Sequence, residues 1–121
     1  FKMYRYVAND VWNAVIRWES FSRNTIGNQL VRAVDSICAN LVEGDGRFSK
    51  ADGLHFFIIA RASARETRYW LQVATERGLL TLTEADEKIQ RLEFATRLLN
   101  RLINYRRNKE NAIVREEQGQ Y

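Results

Sequence analysis

Few side chains in this sequence could carry out chemistry. His55 is the only histidine and Cys38 the only cysteine among 121 residues, so the usual zinc sites built from these residue types cannot form within one chain. A thiol activated by an imidazole is the remaining arrangement for nucleophilic catalysis. Cys38 follows Ile37 in an apolar stretch, which favours a buried structural cysteine over a reactive thiol.

Two carboxylates and a glycine-rich segment are the other candidate sites. Glu43 and Glu66 could act as a general acid and base. Arg32 and Asn40 could instead be structural partners of these two carboxylates, which favours a structural role over catalysis. The segment Gly44-Asp45-Gly46-Arg47 follows a predicted helix and lacks the Lys-Ser/Thr ending of a phosphate-binding loop, which favours a helix cap and turn. The sequence therefore predicts a protein that is not an enzyme, with no catalytic, cofactor-binding or metal-binding residue.

Basic side chains form the pattern that most suggests a binding function. No acidic residue occurs between Arg97 and Lys109, and a second row of arginines recurs at spacings of four and three. Such rows can bind phosphates without reading bases. The alternative is a solvated face whose cations complement a helix dipole. The predicted nucleic-acid-binding residues are Arg97, Arg101, Arg106, Arg107, Lys109, Arg61, Arg65 and Arg68. Tyr69 or Tyr105 could stack on single-stranded bases, although their spacing also fits core or subunit-interface positions.

Helices must position these side chains. Proline is absent, glycine occurs six times, and Ala, Leu, Arg and Glu are abundant, which together predict an all-α chain. The length suits one domain, and a net charge of +4 permits a polyanionic partner. Neither a signal peptide nor an apolar run of about 18 residues occurs. The sequence therefore predicts a cytoplasmic protein without a membrane partner.

The first two helices are defined by apolar residues three and four positions apart. The first is predicted to begin at Tyr4 and end at Phe21, with Phe21 facing inward. The second is predicted to begin near Thr25 to Gly27 and to end at Gly44, where a left-handed C-cap glycine is expected. The chain is then expected to turn through residues 44–48.

The third helix is predicted to begin after Ser49, a suitable N-cap with Asp52 three residues later. It is predicted to continue to Arg77 and to stop at Gly78. Residues 56–60 are all apolar, and such a run covers every side of a helix. The third helix must therefore lie at the centre of the monomer or contact another subunit.

The fourth helix is predicted to open with the capping-box pattern Thr83-Glu84-Ala85-Asp86. Its predicted inward stripe is Ile89, Leu92, Ala95, Leu98, Leu99, Leu102, Ile103 and Tyr105. The apolar periodicity is lost after Asn108. We therefore expect residues 1–108 to form an antiparallel up-down-up-down four-helix bundle, and residues 109–121 to form a flexible or partner-ordered tail.

A line of polar residues lies beside the apolar stripe of the second helix. If the hairpin turns near Arg47, Ser36 should lie opposite Ile59. Arg32 should then meet Ser63 or Glu66, which predicts an Arg32–Glu66 ion pair. Burying polar groups is costly unless they are paired, so the line predicts a structural network. Its members are Arg32, Ser36, Asn40, Glu43, Ser63 and Glu66.

These residues also form a recognisable motif. The stretch from Gln29 to Gly44 reads Gln-Leu-x-Arg-Ala-x-x-Ser-Ile-x-Ala-Asn-x-x-Glu-Gly, and Ile59-Ala60-Arg61-Ala62-Ser63-Ala64-Arg65-Glu66 follows. The chain resembles the four-helix bundle family of 23S rRNA intervening-sequence proteins (S23-type) over roughly residues 7–106. It is also similar to the accessory protein of diversity-generating retroelements. Leu41-Val42 and Ala62 depart from the usual family pattern.

The resemblance implies an antiparallel four-helix bundle that assembles into a ring-like homopentamer. It also implies RNA or DNA, and a reverse transcriptase or other protein, as partners. The leading hypothesis is a non-enzymatic bacterial assembly protein that presents a basic surface to nucleic acid or to a nucleic-acid enzyme. The alternative is a protein-interaction scaffold without nucleic-acid binding, which displays the tails from residue 111 onward.

Overall fold

The computed structural model describes residues 1–47 and 49–119. Its four long helices are α1 (Lys2–Val15), α2 (Asn28–Asp45), α3 (Lys50–Glu76) and α4 (Leu82–Glu117). A helical turn at Ser20–Ser22 and a π-helical turn at Arg23–Gly27 lead into α2. The helix α2 packs on α3, α3 on α4, and α1 on both α2 and α4. The predicted all-α four-helix bundle is confirmed.

Each helix contributes one apolar stripe to a shared core, as expected from the sequence. The helices alternate in direction, and their stripes face one another in the core. Their principal buried side chains are Tyr4, Val7, Val11 and Val15 of α1, Leu30, Val34, Ile37 and Leu41 of α2, Phe57, Ala60, Ala64 and Leu71 of α3, and Leu92, Ala95, Leu99 and Ile103 of α4. No helix in the described part of the chain has both the length and the apolar character needed to cross a membrane.

Two polar contacts join α1 to α4 inside this core. The Tyr4 hydroxyl lies 2.8 Å from Thr96 Oγ1, and burial raises the pKa of Tyr4 to about 12 against the opposing effect of that hydrogen bond. Lys88 is 4% exposed, and its Nζ lies 3.2 Å from Asp10 Oδ2. A buried ammonium needs such a partner. Together the contacts fix α1 antiparallel to α4 at one register.

The α2–α3 hairpin is held by a close backbone approach at Gly44. This residue lies inside α2 and is buried, and Gly46, the C-cap, has φ −82°. The predicted left-handed C-cap at Gly44 is therefore wrong. A Cβ at residue 44 would lie 2.8 Å from Phe57 Cε1 and 2.9 Å from the Gly53 carbonyl oxygen. Glycine occupies this position because the two helices touch there.

The end of α3 agrees with the prediction. Gly78 has φ +74°, a conformation that disfavours other residues. Its amide donates to the carbonyl of Thr75, and the amide of Leu79 donates to that of Ala74 at 2.8 Å. This pair of hydrogen bonds is a Schellman motif, which stops α3 and starts the turn to α4.

The first helix is shorter than predicted. It ends at Val15, and the Glu19 carboxylate then accepts hydrogen bonds from the amides of Phe21 at 3.0 Å and Ser22 at 2.6 Å. Hydrogen bonds from Ser22 are the largest cause that lowers the pKa of Glu19. This cap starts a new helical turn that is separate from α1. Phe21 lies in that turn and is 74% exposed, so the prediction that it faces inward is wrong.

The boundaries of α4 also differ from the prediction. Thr81, not Thr83, is the N-cap: its Oγ1 accepts from the Glu84 amide at 3.1 Å, and Glu84 Oε1 accepts from the Thr81 amide at 3.0 Å. The helix continues beyond Asn108 to Glu117, with residues 111–119 exposed. Phe48 of the predicted turn and the last two residues of the predicted tail lie outside the described residues.

Candidate nucleic-acid interface

The polar line on α2 meets α3 one helical turn away from the predicted register. Ser36 Oγ lies 2.9 Å from Ser63 Oγ, whereas the sequence placed Ser36 opposite Ile59. Asn40 Nδ2 donates to the Ser36 carbonyl at 2.8 Å and lies 3.1 Å from its hydroxyl. Three of the six predicted network residues are therefore brought together.

The other three network residues lie elsewhere. Arg32 and Glu66 are exposed, and they form no ion pair with each other among the described residues. The predicted Arg32–Glu66 pair is wrong because both side chains are exposed to solvent and do not meet across the hairpin. Glu43 instead pairs with Arg47 across 2.7 Å.

The residues considered for catalysis are not assembled. Burial raises the pKa of the Cys38 thiol, and the charge of Asp35 raises it further. His55 is exposed and stacks edge-on against Phe56, with 5.9 Å between the ring centroids. In residues 1–47 and 49–119, no hydrogen bond joins Cys38 to His55, and no cluster of three His, Cys, Asp or Glu side chains could hold a metal ion.

Arginines of α3 line a groove against α4. We call it the α3–α4 groove; its volume is about 460 Å³, and its lining includes Arg61, Arg65 and Arg68 of α3 and Glu93, Thr96 and Asn100 of α4. Arg61 Nη1 donates to Asn100 Oδ1 at 3.1 Å, and Arg68 pairs with Glu93. Arg65 is exposed and forms no ion pair with another described residue. Within the described residues, the groove thus presents one guanidinium without an ion-pair partner between two that are oriented by α4.

A second cationic surface covers the solvent side of α4. We call it the α4 outer face; its residues are Phe94, Arg97, Leu98, Arg101 and Tyr105, whose spacing places them on one side of a helix. Arg97 and Arg101 are exposed, and Arg97 Cζ lies 5.8 Å from the centroid of the Phe94 ring. Leu98 is 41% exposed and Tyr105 60% exposed, so their predicted inward positions are wrong. Two exposed arginines therefore lie between two exposed rings along this face.

The sequence did not identify Phe94 as part of this surface. A second run of large residues could have revealed it. Phe94, Leu98, Arg101 and Tyr105 recur at spacings of four, three and four, on the side of α4 opposite Leu92 and Leu99. Tyr69, the other predicted stacking residue, is 56% exposed on α3.

The remaining predicted basic residues do not all share these surfaces. Arg107 is exposed and follows Asn100 by seven residues, so it lies on the same side of α4 as the groove. Lys109 Nζ lies 5.4 Å from the centroid of the Tyr105 ring, which places it at the end of the α4 outer face. Arg106 turns inward, with its Cζ 4.6 Å from the centroid of the Phe57 ring. Arg106 therefore belongs to the end of the bundle, apart from the other cations.

Comparison with known proteins gives a family match and similarity to solved structures. A family model described as 23S rRNA-intervening sequence protein matches residues 2–101. A crystal structure of an S23 ribosomal protein family member of unknown function from Bacteroides thetaiotaomicron VPI-5482 has a similar fold, with a TM-score of 0.75 and 24% sequence identity. The alignment covers 84% of this chain and 95% of that chain. No curated protein matches this sequence significantly.

Proposed function

Because the chain belongs to the 23S rRNA-intervening sequence protein family, we propose that it is a non-enzymatic, cytoplasmic homo-oligomer that binds nucleic acid through its basic surface. Structured RNA with unpaired bases is the preferred ligand. The supporting observation is that the α3–α4 groove and the α4 outer face share one helix. A phosphate backbone can therefore contact both. A nucleic-acid enzyme, such as a reverse transcriptase, is the further partner that the family resemblance implies.

Electrostatics favour a polyanion at this joint surface. Arg65, Arg97 and Arg101 have no ion-pair partner among the described residues, while Glu93 neutralises Arg68. Each exposed cation binds phosphate weakly in water. The combined surface binds more strongly because every neutralised phosphate releases counterions. Repetition of the surface in an oligomer multiplies this effect.

Exposed rings add affinity for unpaired bases. Phe94 and Tyr105 are 47% and 60% exposed, and they are eleven residues apart, or about 16 Å along a helix. Stacking of one base on an aromatic side chain contributes about 1–3 kcal/mol. Stacked base pairs in a duplex cannot reach such rings. We therefore expect unpaired RNA to bind more tightly than a perfect duplex.

Salt dependence provides the primary test of this function. We expect the affinity for a fluorescein-labelled single-stranded RNA, measured by anisotropy, to fall about twenty-fold between 50 and 200 mM salt if Arg65, Arg97 and Arg101 each contact one phosphate. A perfect RNA duplex and single-stranded DNA are the comparison ligands. Affinity that is absent, or that does not change with salt, would contradict nucleic-acid binding.

Absent or salt-independent RNA binding would favour the alternative of a protein-interaction scaffold. The last part of α4 supports that reading, because Ile113 and Val114 are 44% and 40% exposed beyond the end of the core. A partner protein could cover them.

Exposed apolar side chains on α1 and just beyond its end support the proposed assembly. Trp12 and Ile16 are one helical turn apart and are 54% and 48% exposed, and Phe21 beyond α1 is also exposed. Large exposed apolar patches usually mark interaction surfaces. A second copy of this chain is the proposed occupant, and the ring of five is what the family resemblance implies.

The assembly predicts a particle mass of about five times the monomer mass of 14.2 kDa in light scattering. Trp12→Glu should lower that mass, because it would bury a charge at the contact. Asn13→Glu adds the same charge at a neighbouring exposed polar position and should leave the mass unchanged. A wild-type mass equal to that of the monomer would contradict the assembly.

A further inference from the structure

A cleft lies at the end of the bundle where α2 ends and α3 begins. We call it the bundle-end cleft; its volume is about 410 Å³, within the usual range of small-molecule sites. Phe1, Val42 and Leu102 supply accessible apolar surface, and Lys2, Arg5 and Arg106 supply cations. An apolar surface beside clustered positive charge suits a molecule with an apolar body and an acidic head.

Arg106 is the unusual member of this cleft. It continues the core stripe of α4, three residues after Ile103, where an apolar side chain is expected. Arg106 is partly buried, and its guanidinium lies over the Phe57 ring, with Cζ 4.6 Å from the centroid. It forms no ion pair with another described residue. The cation–π contact offsets part of the desolvation, but no carboxylate of the described residues compensates the charge.

The other charges near the cleft do not supply that carboxylate. Lys2 and Arg5 are exposed and, like Arg106, form no ion pair within the described chain. Asp45 is the one carboxylate among the described lining residues, and it pairs with none of these three cations. The cleft therefore carries a net positive charge beside its apolar surface.

A glycine keeps the guanidinium in place. A Cβ at Gly53 would lie 3.1 Å from Arg106 Nη1, closer than side chains normally approach. The missing side chain leaves a notch that the guanidinium occupies. Together with the Phe57 ring, this notch orients Arg106 before any ligand arrives, which reduces the entropy lost on binding.

We propose that the bundle-end cleft binds a small amphipathic monocarboxylate, such as a medium-chain fatty acid. The carboxylate contacts Arg106 and Arg5, and the apolar chain lies on Phe1, Val42 and Leu102. This site is separate from the α4 outer face, since Arg106 points into the bundle end. The proposal therefore does not depend on nucleic-acid binding.

Cys38 provides a natural reporter of occupancy. It lines the same cleft, and it is the only cysteine in the chain. A bound ligand covers the thiol, and a carboxylate near it further disfavours the thiolate. Alkylation by neutral iodoacetamide, followed by mass spectrometry, therefore measures occupancy without a label.

We expect saturating decanoate, below its micelle concentration, to slow Cys38 alkylation about tenfold. Acetate supplies the carboxylate without the chain, and 1-decanol supplies the chain without the charge, so each should protect Cys38 much less at the same concentration.

Arg106→Met should raise the decanoate concentration for half-protection about tenfold, because a charge-assisted hydrogen bond is lost. Arg106→Lys should restore part of the affinity, and Arg107→Met, which changes an adjacent exposed arginine, should stay within about twofold of wild type.

Three outcomes would overturn the proposal. They are unchanged alkylation in decanoate, equal protection by decanoate and 1-decanol, and equal behaviour of Arg106→Met and Arg107→Met. Helix content measured by circular dichroism checks that the variants fold. If Arg106→Met does not fold, the comparison of decanoate, acetate and 1-decanol on the wild-type protein decides the question.

Discussion

Replacing Gly44 by alanine is expected to destabilise the protein by about 2 kcal/mol, although alanine is the better helix former. The new Cβ would lie 2.8 Å from Phe57 Cε1 and 2.9 Å from the Gly53 carbonyl oxygen. A flexible side chain could move aside, but a helix backbone and a buried ring cannot. The helices α2 and α3 must separate, and the core between them loses contact. Urea unfolding followed by circular dichroism measures the change at one fixed protein concentration.

Gly46→Ala is the matched control. Residue 46 has φ −82°, and a Cβ there meets no atom closer than 3.5 Å. Alanine at this position should therefore leave the free energy of unfolding unchanged or raise it by up to about 1 kcal/mol. Equal stabilities of the two variants would show that the close approach at Gly44 is not what requires glycine.

The sequence indicated that Gly44 matters but gave the wrong reason. Glycine near a helix end is typical of a left-handed cap, and it is also typical of a close helix–helix contact. Local sequence cannot separate the two roles, because the second depends on Gly53 across the hairpin. At Gly78, no opposing helix competes with the cap, and the local prediction was correct.

The register of the hairpin shows the same limit. Apolar spacing predicts which face of α2 and α3 is buried, but sliding one helix by a full turn restores the same faces. The predicted pairing of Ser36 with Ile59 and the observed contact with Ser63 therefore fit the stripes equally well. The observed register is the one that joins Ser36 Oγ to Ser63 Oγ, and the sequence pattern does not show which residue lies opposite.

Local sequence determines the helix caps better than it determines which apolar side chains are exposed. Thr81 and Thr83 each precede an acidic residue by three positions, but Glu84 has the longer side chain that reaches back to the N-cap amide. Preference for glutamate over aspartate would have selected Thr81. The sequence does not predict the outward position of Tyr105, because the spacing of its ring continues the predicted core stripe. Exposure of Arg97 and Arg101, in contrast, follows from charge alone.

Replacing both Arg97 and Arg101 by glutamate is expected to weaken RNA binding by at least about a hundredfold at 100 mM salt. Two phosphate contacts are lost and two repulsive charges are added on the α4 outer face. The slope of log affinity against log salt concentration should also fall in magnitude by about 1.4, since each phosphate contact with a single strand contributes about 0.7. Both arginines are exposed and form no ion pair with another described residue, so helix content and stability should remain near wild type.

Arg17→Glu with Arg77→Glu is the control for net charge, because both residues are exposed and neither lines the α3–α4 groove or the α4 outer face. This double variant makes the same change of four charge units and should reduce affinity by only about threefold, with the salt slope unchanged. Equal losses in the two double variants would mean that RNA responds to total charge and not to a defined surface. Retained affinity and slope in the Arg97 and Arg101 variant would place the phosphate contacts elsewhere. A loss that appears only in that variant, with the particle mass unchanged, assigns binding to the α4 outer face independently of assembly.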